Sequence, residues 1–431
     1  VFDGEVFSNY KPKIETGKVM YCASQCLPHT TNGYAIRTHE LVKGITSNGR
    51  GVTVCARHGY PLDRGDFRGE YKHHENVIDR IEYMFNPSDK EDGVPEIDYN
   101  KVFNFTSFGE YQDIYVSTLL RQAEIVKPEI IHAASNFVVG MAAVNVARAL
   151  DIPSIYEIRG FWHETQASKR PGYRDSDHYN LSESMEIEVA KRADFVFTIT
   201  QAIADILIGY GIEPQKIGVL PNCVDIEEYK PMERKASLEE KYELFDKVVI
   251  GYIGSFVEYE GLDILLNAVS LIKEEVGECL KLILVGDGPE LSAVKELTGQ
   301  LEIEDLVIFT GRVPHAEVRD HYSVIDIAPF PRRGSRVCEI VSPLKPFEAL
   351  AMGKAVIVSG VAALDEIIQN GETGLVHIKD DVSSLARCLK ELVLDDSYRR
   401  ELSKNGRKWV AKNRTWEMAG ETLEEVYSQL V

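Results

Sequence analysis

Residues 335–353, Ser-Arg-Val-Cys-Glu-Ile-Val-Ser-Pro-Leu-Lys-Pro-Phe-Glu-Ala-Leu-Ala-Met-Gly, concentrate the side chains best suited to chemistry. Two glutamates, Glu339 and Glu348, flank Lys345, which is bracketed by Pro343 and Pro346 and followed by an alanine-rich helical pattern. With a helix expected to begin near Pro346, Glu348 falls in its first turn, where a carboxylate suits the dipole and can accept hydrogen bonds from ribose hydroxyls. Lys345, just ahead of it, can meet a phosphate. The competing reading is a capped amphipathic helix with solvated charges. A second segment, Leu27-Pro-His-Thr-Thr-Asn-Gly-Tyr-Ala-Ile-Arg-Thr-His-Glu40, joins a strand to a helix, and Gly33 there would let the backbone approach a diphosphate at the helix start. A plain strand-to-helix turn explains Gly33 about as well. The Gly-rich turn Val285-Gly-Asp-Gly-Pro-Glu290 is read as scaffold in preference to direct ligand contact.

These residues need rigid elements to hold them. Short apolar, β-branched runs recur with helical stretches between them, the pattern of parallel strands buried on both faces. In the first half, strands are expected near Val19–Cys22, Val52–Ala56, Ile130–His132, Ser154–Glu157, Phe195–Thr200 and Ile217–Leu220. Helices are expected near Ile36–Ser47, Ile114–Val126, Val139–Leu150 and Glu183–Arg192. The polar stretch from Asp225 to Asp246 reads as a linker. The pattern then repeats, with strands near Val248–Ile253, Leu282–Val285, Val307–Thr310, Asp326–Pro329 and Ala355–Ser359 and helices near Leu262–Val276, Glu290–Leu297, Ala316–Tyr322 and Pro346–Met352. The fold class expected is α/β, with two doubly wound Rossmann-like domains facing across a cleft. Their expected extents are 1–224 and 225–413, with an amphipathic helix near 414–431 packing back on the first.

The 431 residues suit two domains, and no apolar run is long enough to span a bilayer. A net charge of −20 disfavours nucleic acid as a partner and works against anionic membranes, leaving only local peripheral contact. Seven scattered cysteines form neither a metal-ligand pair nor a disulfide framework. The opening residues, Val1 to Lys18, are polar and mixed in charge, unlike a signal peptide, so a cytoplasmic chain is expected.

Several segments, in register over nearly the whole length, resemble retaining glycosyltransferases of the GT-B fold, family 4. They are the Asn32-Gly-Tyr34 loop, Ala193-Asp194 before Thr198-Ile-Thr200, Pro221-Asn222 with Val224-Asp225, and Gly254-Ser-Phe-Val-Glu-Tyr-Glu-Gly-Leu-Asp-Ile-Leu-Leu266. Val285-Gly-Asp-Gly-Pro289, Thr310-Gly-Arg-Val-Pro314 and the opening segment running on through Ser359 to Gly371-Glu-Thr-Gly-Leu375 complete the set. The Gly33–His39 loop, Glu157-Ile-Arg-Gly-Phe-Trp162 and Pro343-Leu-Lys-Pro346 look most like the branch associated with bacterial exopolysaccharide and surface glycans. The resemblance implies transfer of a sugar from a nucleoside diphosphate, UDP or GDP, to a glycan or lipid-linked acceptor, with retention and without a metal or other cofactor. It implies Glu348 at the donor ribose, Arg312 and Val313 near the base, and Gly33 near the diphosphate.

Three departures from the family pattern stand out. Its usual Arg and Lys after the first strand of the second domain, beginning at Gly254, correspond here to Ser255 and Glu260, so Arg332, Arg333, Arg336 and Lys345 are the cations expected to stabilise the leaving group. Its usual histidine corresponds to Arg159, with His163 as a substitute. Glu339 lies one position out of the usual spacing to Glu348. Asp175-Ser-Asp177 matches the carboxylate triplet of metal-dependent transferases but is expected in a polar loop, and His29, His39, His73 and His74 lack metal-ligand spacing. Rival functions are a nucleotide-sugar epimerase of the same architecture and a catalytically silent nucleotide- or partner-binding relative.

Overall fold

A computed structural model describes residues 13–64, 76–85 and 107–431; His73, His74 and the start of the polar opening lie outside the described residues. The described chain forms two compact units, one reaching to Pro221 and taking in Trp416–Val431, the other Asn222–Thr415.

The first unit is built on β1 (Lys18–Ala23), β2 (Gly51–Ala56), β3 (Val77–Ile78), β4 (Ile81–Met84), β5 (Ile130–Ala134), β6 (Ser154–Ile158), β7 (Phe195–Thr198) and β8 (Ile217–Val219). They lie in the order β3-β4-β2-β1-β5-β6-β7-β8, parallel apart from the β3–β4 pair. The central strands are mainly apolar because helices cover both faces, and Val19 to Ala23 are all sealed from solvent; His132 in β5 and Glu157 in β6 are buried exceptions. Local chemistry fixes the helix starts. Asn32, Asn136, Ser176 and Thr200 cap the helices Gly33–Ser47, Phe137–Leu150, Asp177–Arg192 and Gln201–Gly209 through their side-chain oxygens. Ser107 and Glu110 form a capping box that starts the next helix at Phe108, so it runs Phe108–Val126 and not from Ile114. The helix expected from Glu183 likewise begins earlier, at Asp177. Asp175 closes a single 3₁₀ turn before it.

The last helix, Trp416–Leu430, lies against Gly33–Ser47 at very short range. A Cβ placed on Gly420 would fall 2.5 Å from the Gly44 carbonyl oxygen, so only glycine fits at the contact. Tyr427 anchors it further by a 2.7 Å bond between its hydroxyl and His132 Nδ1, and Glu424 pairs with Arg50 at 2.6 Å.

The second unit carries β9 (Val248–Ile253), β10 (Leu280–Val285), β11 (Val307–Gly311), β12 (Ile327–Phe330), β13 (Ala355–Ser359) and β14 (Leu375–His377), all parallel, in the order β11-β10-β9-β12-β13-β14. The order reverses between β9 and β12, the point where such sheets open a crevice at the strands' carboxyl ends. The polar stretch read as a linker is instead part of this unit. It carries the helix Ala236–Tyr242 and buries Tyr229 and Leu244, and Arg407 holds it by donating to the carbonyls of Tyr229 and Ile226. Among the described residues, no helix is long and apolar enough to cross a membrane.

Candidate functional site

The crevice in the second unit holds a pocket of about 670 Å³ at the carboxyl ends of β9, β10 and β11. Gly254, Ser255, Gly286, Asp287, Arg312 and Val313 are among its walls. The three strand ends are stitched to one another through the backbone: Gly254 N donates to Val285 O at 2.9 Å, Phe256 N to Asp287 O at 2.9 Å, and Gly286 N to Gly311 O at 3.0 Å. A Cβ on Gly286 would lie 1.8 Å from Gly254 O, so glycine is required for this junction to close. The Gly-rich turn after β10 thus closes the junction and also lines the pocket.

Lys345 begins the helix Lys345–Ala351 and sends its side chain under Gly254, where a Cβ would meet Lys345 Cε at 2.5 Å and Nζ at 2.8 Å. Its ammonium is held on three sides. It donates to Tyr252 Oη at 2.7 Å, pairs with Glu260 Oε1 at 2.9 Å, and lies 4.9 Å from the Tyr252 ring centroid. Glu260 is shared with Arg332, 3.6 Å away, which also donates to Val341 O at 2.7 Å. The cluster thus sets two cations against one carboxylate in a largely buried site. Burial pulls the Lys345 ammonium below its ordinary range, with Glu260 restraining the fall. Burial also pushes the Glu260 carboxyl up, but Lys345 and Arg332 outweigh it and leave the group below its ordinary value.

Glu348 stands in the first turn of the same helix. Burial raises its carboxyl to about 7, against the attraction of Lys345 and a long bond from the Tyr322 hydroxyl at 3.4 Å. Arg312 is exposed at the rim and Val313 half-buried beside it. Gly254, Ser255, Arg312 and Val313 are thus gathered at one pocket, while Lys345 lies against Gly254 from beneath without lining it, and Glu348 stands one helical turn from the lysine. Glu339 and Arg336 have different surroundings. Glu339 accepts from Lys379 at 2.6 Å and from the amide of Ala362 at 2.8 Å, and so is occupied in holding a neighbouring turn. Arg336 opens the helix Arg336–Ile340 with an exposed side chain, and Arg333 is paired with Asp263 at 2.6 Å.

In the first unit, Gly33 is the exposed first residue of its helix, directly after the Asn32 cap. Arg159 belongs to a buried charge network at the carboxyl end of β6. It donates to both oxygens of Glu157 at 3.0 Å, to Tyr34 O at 2.9 Å, to Thr38 Oγ1 at 2.7 Å and to Tyr21 Oη at 2.6 Å. Arg37 reaches the same carboxylate at 2.7 Å, and His132 Nε2 lies 3.5 Å from it. Burial alone would raise Glu157, yet Arg159 and Arg37 hold it well below the usual carboxylate range. These bonds commit Arg159 to the fold. His163 is also buried, stacked on Phe161 at 5.2 Å and edge-on to Tyr179 at 4.8 Å. His39, on the helix Gly33–Ser47, is buried and bonds Tyr83 at 2.7 Å and Asp79 at 2.9 Å.

Sequence reasoning missed Tyr252 and Tyr322, which read as core positions of a strand and a helix, and it missed Glu260 as the partner of Lys345. The substitution at Glu260 was visible; the distant lysine it pairs with was not.

Two family profiles match this chain almost end to end. Glycosyltransferase Family 4 covers residues 31–228, and Glycosyl transferases group 1 covers residues 235–409. A GDP-mannose-dependent α-(1-6)-phosphatidylinositol monomannoside mannosyltransferase of Mycolicibacterium smegmatis is 27% identical over 48% of this chain and 55% of its own. A D-inositol 3-phosphate glycosyltransferase of Corynebacterium jeikeium is 28% identical over 57% and 59%. The chain thus spans a little over half the length of these relatives. Among solved structures, the sucrose-phosphate synthase of Thermosynechococcus elongatus superposes with a TM-score of 0.73 at 18% identity, covering 96% of this chain and 99% of that one. Anabaena HepE in complex with UDP gives 0.67 at 17%, covering 96% and 100%. With both profiles matched in order and both sheets wound alike, the chain belongs to the family 4, group 1 glycosyltransferases and has their GT-B fold.

Proposed function

We propose that this chain transfers a hexose or related sugar from a UDP- or GDP-sugar to a glycan or lipid-linked acceptor, with retention at the anomeric carbon and without a metal ion. The observation that carries the reading is the largely buried ammonium of Lys345, held beneath Gly254, which is itself a wall of the pocket, with Glu348 one helical turn away. A leaving diphosphate needs positive charge already in place, and a desolvated, oriented cation supplies it without reorganisation. In this reading Lys345, with Arg336 at longer range, takes over from the Arg and Lys that Ser255 and Glu260 replace. Glu348 accepts from the ribose, and Arg312 and Val313 border the base. Gly33 and the acceptor belong to the first unit. Relatives named for GDP-mannose and phosphatidylinositol mannoside support a nucleotide-sugar donor and a lipid-linked acceptor, and Asp175, closing a 3₁₀ turn, and Asp177, opening a helix, do not form a strand-end carboxylate pair for a metal.

A thermal-shift panel of nucleotide sugars identifies the donor, because a ligand that binds only the folded chain raises its melting point. Transfer is then measured with that donor in excess EDTA, and the anomeric configuration of the product is read by proton NMR. Undiminished transfer with a retained anomer is expected. Transfer lost in EDTA, regained with Mn²⁺ or Mg²⁺ and abolished by Asp175→Ala or Asp177→Ala would overturn the metal-free reading. Conversion of the donor sugar without any acceptor would favour an epimerase.

A further inference from the structure

At the amino ends of the second unit's strands, the opposite edge of the sheet from Gly254, lies another cavity of about 470 Å³. The segments entering β12 and β13 and the helix Asp396–Asn413 wall it, and they bring together Lys354, Arg399, Arg400, Lys404 and Arg407 with two carboxylates, Asp326 and Asp396. Such a concentration of cations is unexpected on a chain of net charge −20.

Most of these groups are accounted for by the fold. Arg407 donates to the carbonyls of Tyr229, Ala351 and Ile226. Arg399 donates to Leu392 O at 2.6 Å and to Asp396 at 2.5 Å, and Arg400 pairs with the other Asp396 oxygen at 2.8 Å. Asp326 is taken by Arg234 and by the amide of Val249. Lys354 is not accounted for. It is 9% exposed and lines the cavity, yet its ammonium makes no hydrogen bond or ion pair among the described residues. Burial and the charge of Arg234 pull it down to about 8, while Asp326 attracts too weakly to restore it. A buried cation without a partner is expensive unless something else supplies the opposite charge.

We propose that this cavity is an anion site for a small soluble ligand bearing a phosphate or diphosphate group, separate from the pocket at Gly254. Lys354 provides the desolvated point charge at its base, and Arg400 and Lys404 provide donors at the mouth. The volume suits a compact ligand of that kind. The concave shape and the chain's overall negative charge favour a soluble phosphate over a lipid headgroup.

Calorimetric titration of the full chain with inorganic diphosphate tests this. Lys345→Ala serves as the background, so that the first pocket contributes little. Adding Lys354→Gln should weaken the remaining binding roughly 10- to 100-fold, the usual effect of losing a charged hydrogen bond, while Lys354→Arg keeps most of it. Since Lys354 has no partner to lose, Lys354→Gln should melt no lower than its parent in anion-free buffer, which separates lost binding from lost folding. In ¹³C-lysine-labelled protein, the signal absent from Lys354→Gln should titrate to higher pH when diphosphate is added. Equal diphosphate affinity in Lys354→Gln, or a Lys354 signal indifferent to diphosphate, overturns the site. Binding to phosphatidylglycerol vesicles without binding of diphosphate overturns the soluble-ligand assignment. Neither outcome bears on sugar transfer at the first pocket.

Discussion

Burial lifts the Glu348 carboxyl to about 7, so near neutrality it passes between a protonated form and an ion that can accept hydrogen bonds at both oxygens. Nucleotide binding should therefore strengthen as pH rises through about 7, and Glu348→Gln should flatten that dependence. The stability contribution has the opposite sense: with its folded value above 4.5, it is present in acid and lost as pH climbs toward 7. Glu348→Ala should weaken nucleotide binding by about 1–3 kcal/mol. Calorimetry at several pH values decides this, and unchanged affinity in a folded alanine variant would remove the role. For Lys345 the prediction concerns its neighbour. Lys345→Ala should lower turnover by about 10²–10³. Glu260→Gln removes the charge that keeps the ammonium protonated, so the alkaline limb of the pH–rate profile should move to lower pH. An unmoved limb would mean that Glu260 does not tune Lys345. Lys345 and Glu348 were legible in the sequence because a proline-bracketed charge at a helix start is a local signal. Glu260 was legible only as an oddity, since what gives it meaning is a lysine on a different element.

Elements were legible where burial made the pattern extreme. β1, β5, β9 and β13 are almost wholly apolar and buried and are found within a residue or two of their expected positions. The short strands β3, β4 and β14, at or next to a sheet edge, escaped, having two to four residues each and too little pattern to detect. Asp396–Asn413 escaped for another reason. It buries only Leu402, Gly406 and Val410, so its apolar stripe is narrow and its charges dominate. The contact between Gly33–Ser47 and Trp416–Leu430 was invisible as well, because two glycines signal nothing until they face each other. Their approach makes a sharp prediction. Gly420→Ala places a methyl against the Gly44 carbonyl and should destabilise the chain by about 1–3 kcal/mol, the usual cost of overpacking. Urea unfolding measures it, and an unchanged midpoint would show that the two helices can separate without loss.

At the scale of the whole chain, two doubly wound sheets were legible from the twice-repeated alternation of runs, as was the return of the last helix. The linker reading failed because polar composition does not distinguish a free connector from a segment whose few apolar side chains, Tyr229 and Leu244, are tucked into a core. The first unit is closed by a helix that the chain reaches only after completing the second. The fragment 13–221 should therefore be poorly folded alone and gain structure when a peptide spanning 416–430 is added, with the gain blocked by Gly420→Val in the peptide. Circular dichroism follows this, and full cooperative unfolding of the fragment by itself would refute it. The same discontinuity imposes a schedule during synthesis. A ribosome that has finished Pro221 must still translate everything through Thr415 before Trp416 appears, a wait of about 10–40 s at usual elongation rates. Throughout that interval the surface around Gly44 and His132 is without its cover, so the first unit can complete its packing only after the final helix emerges.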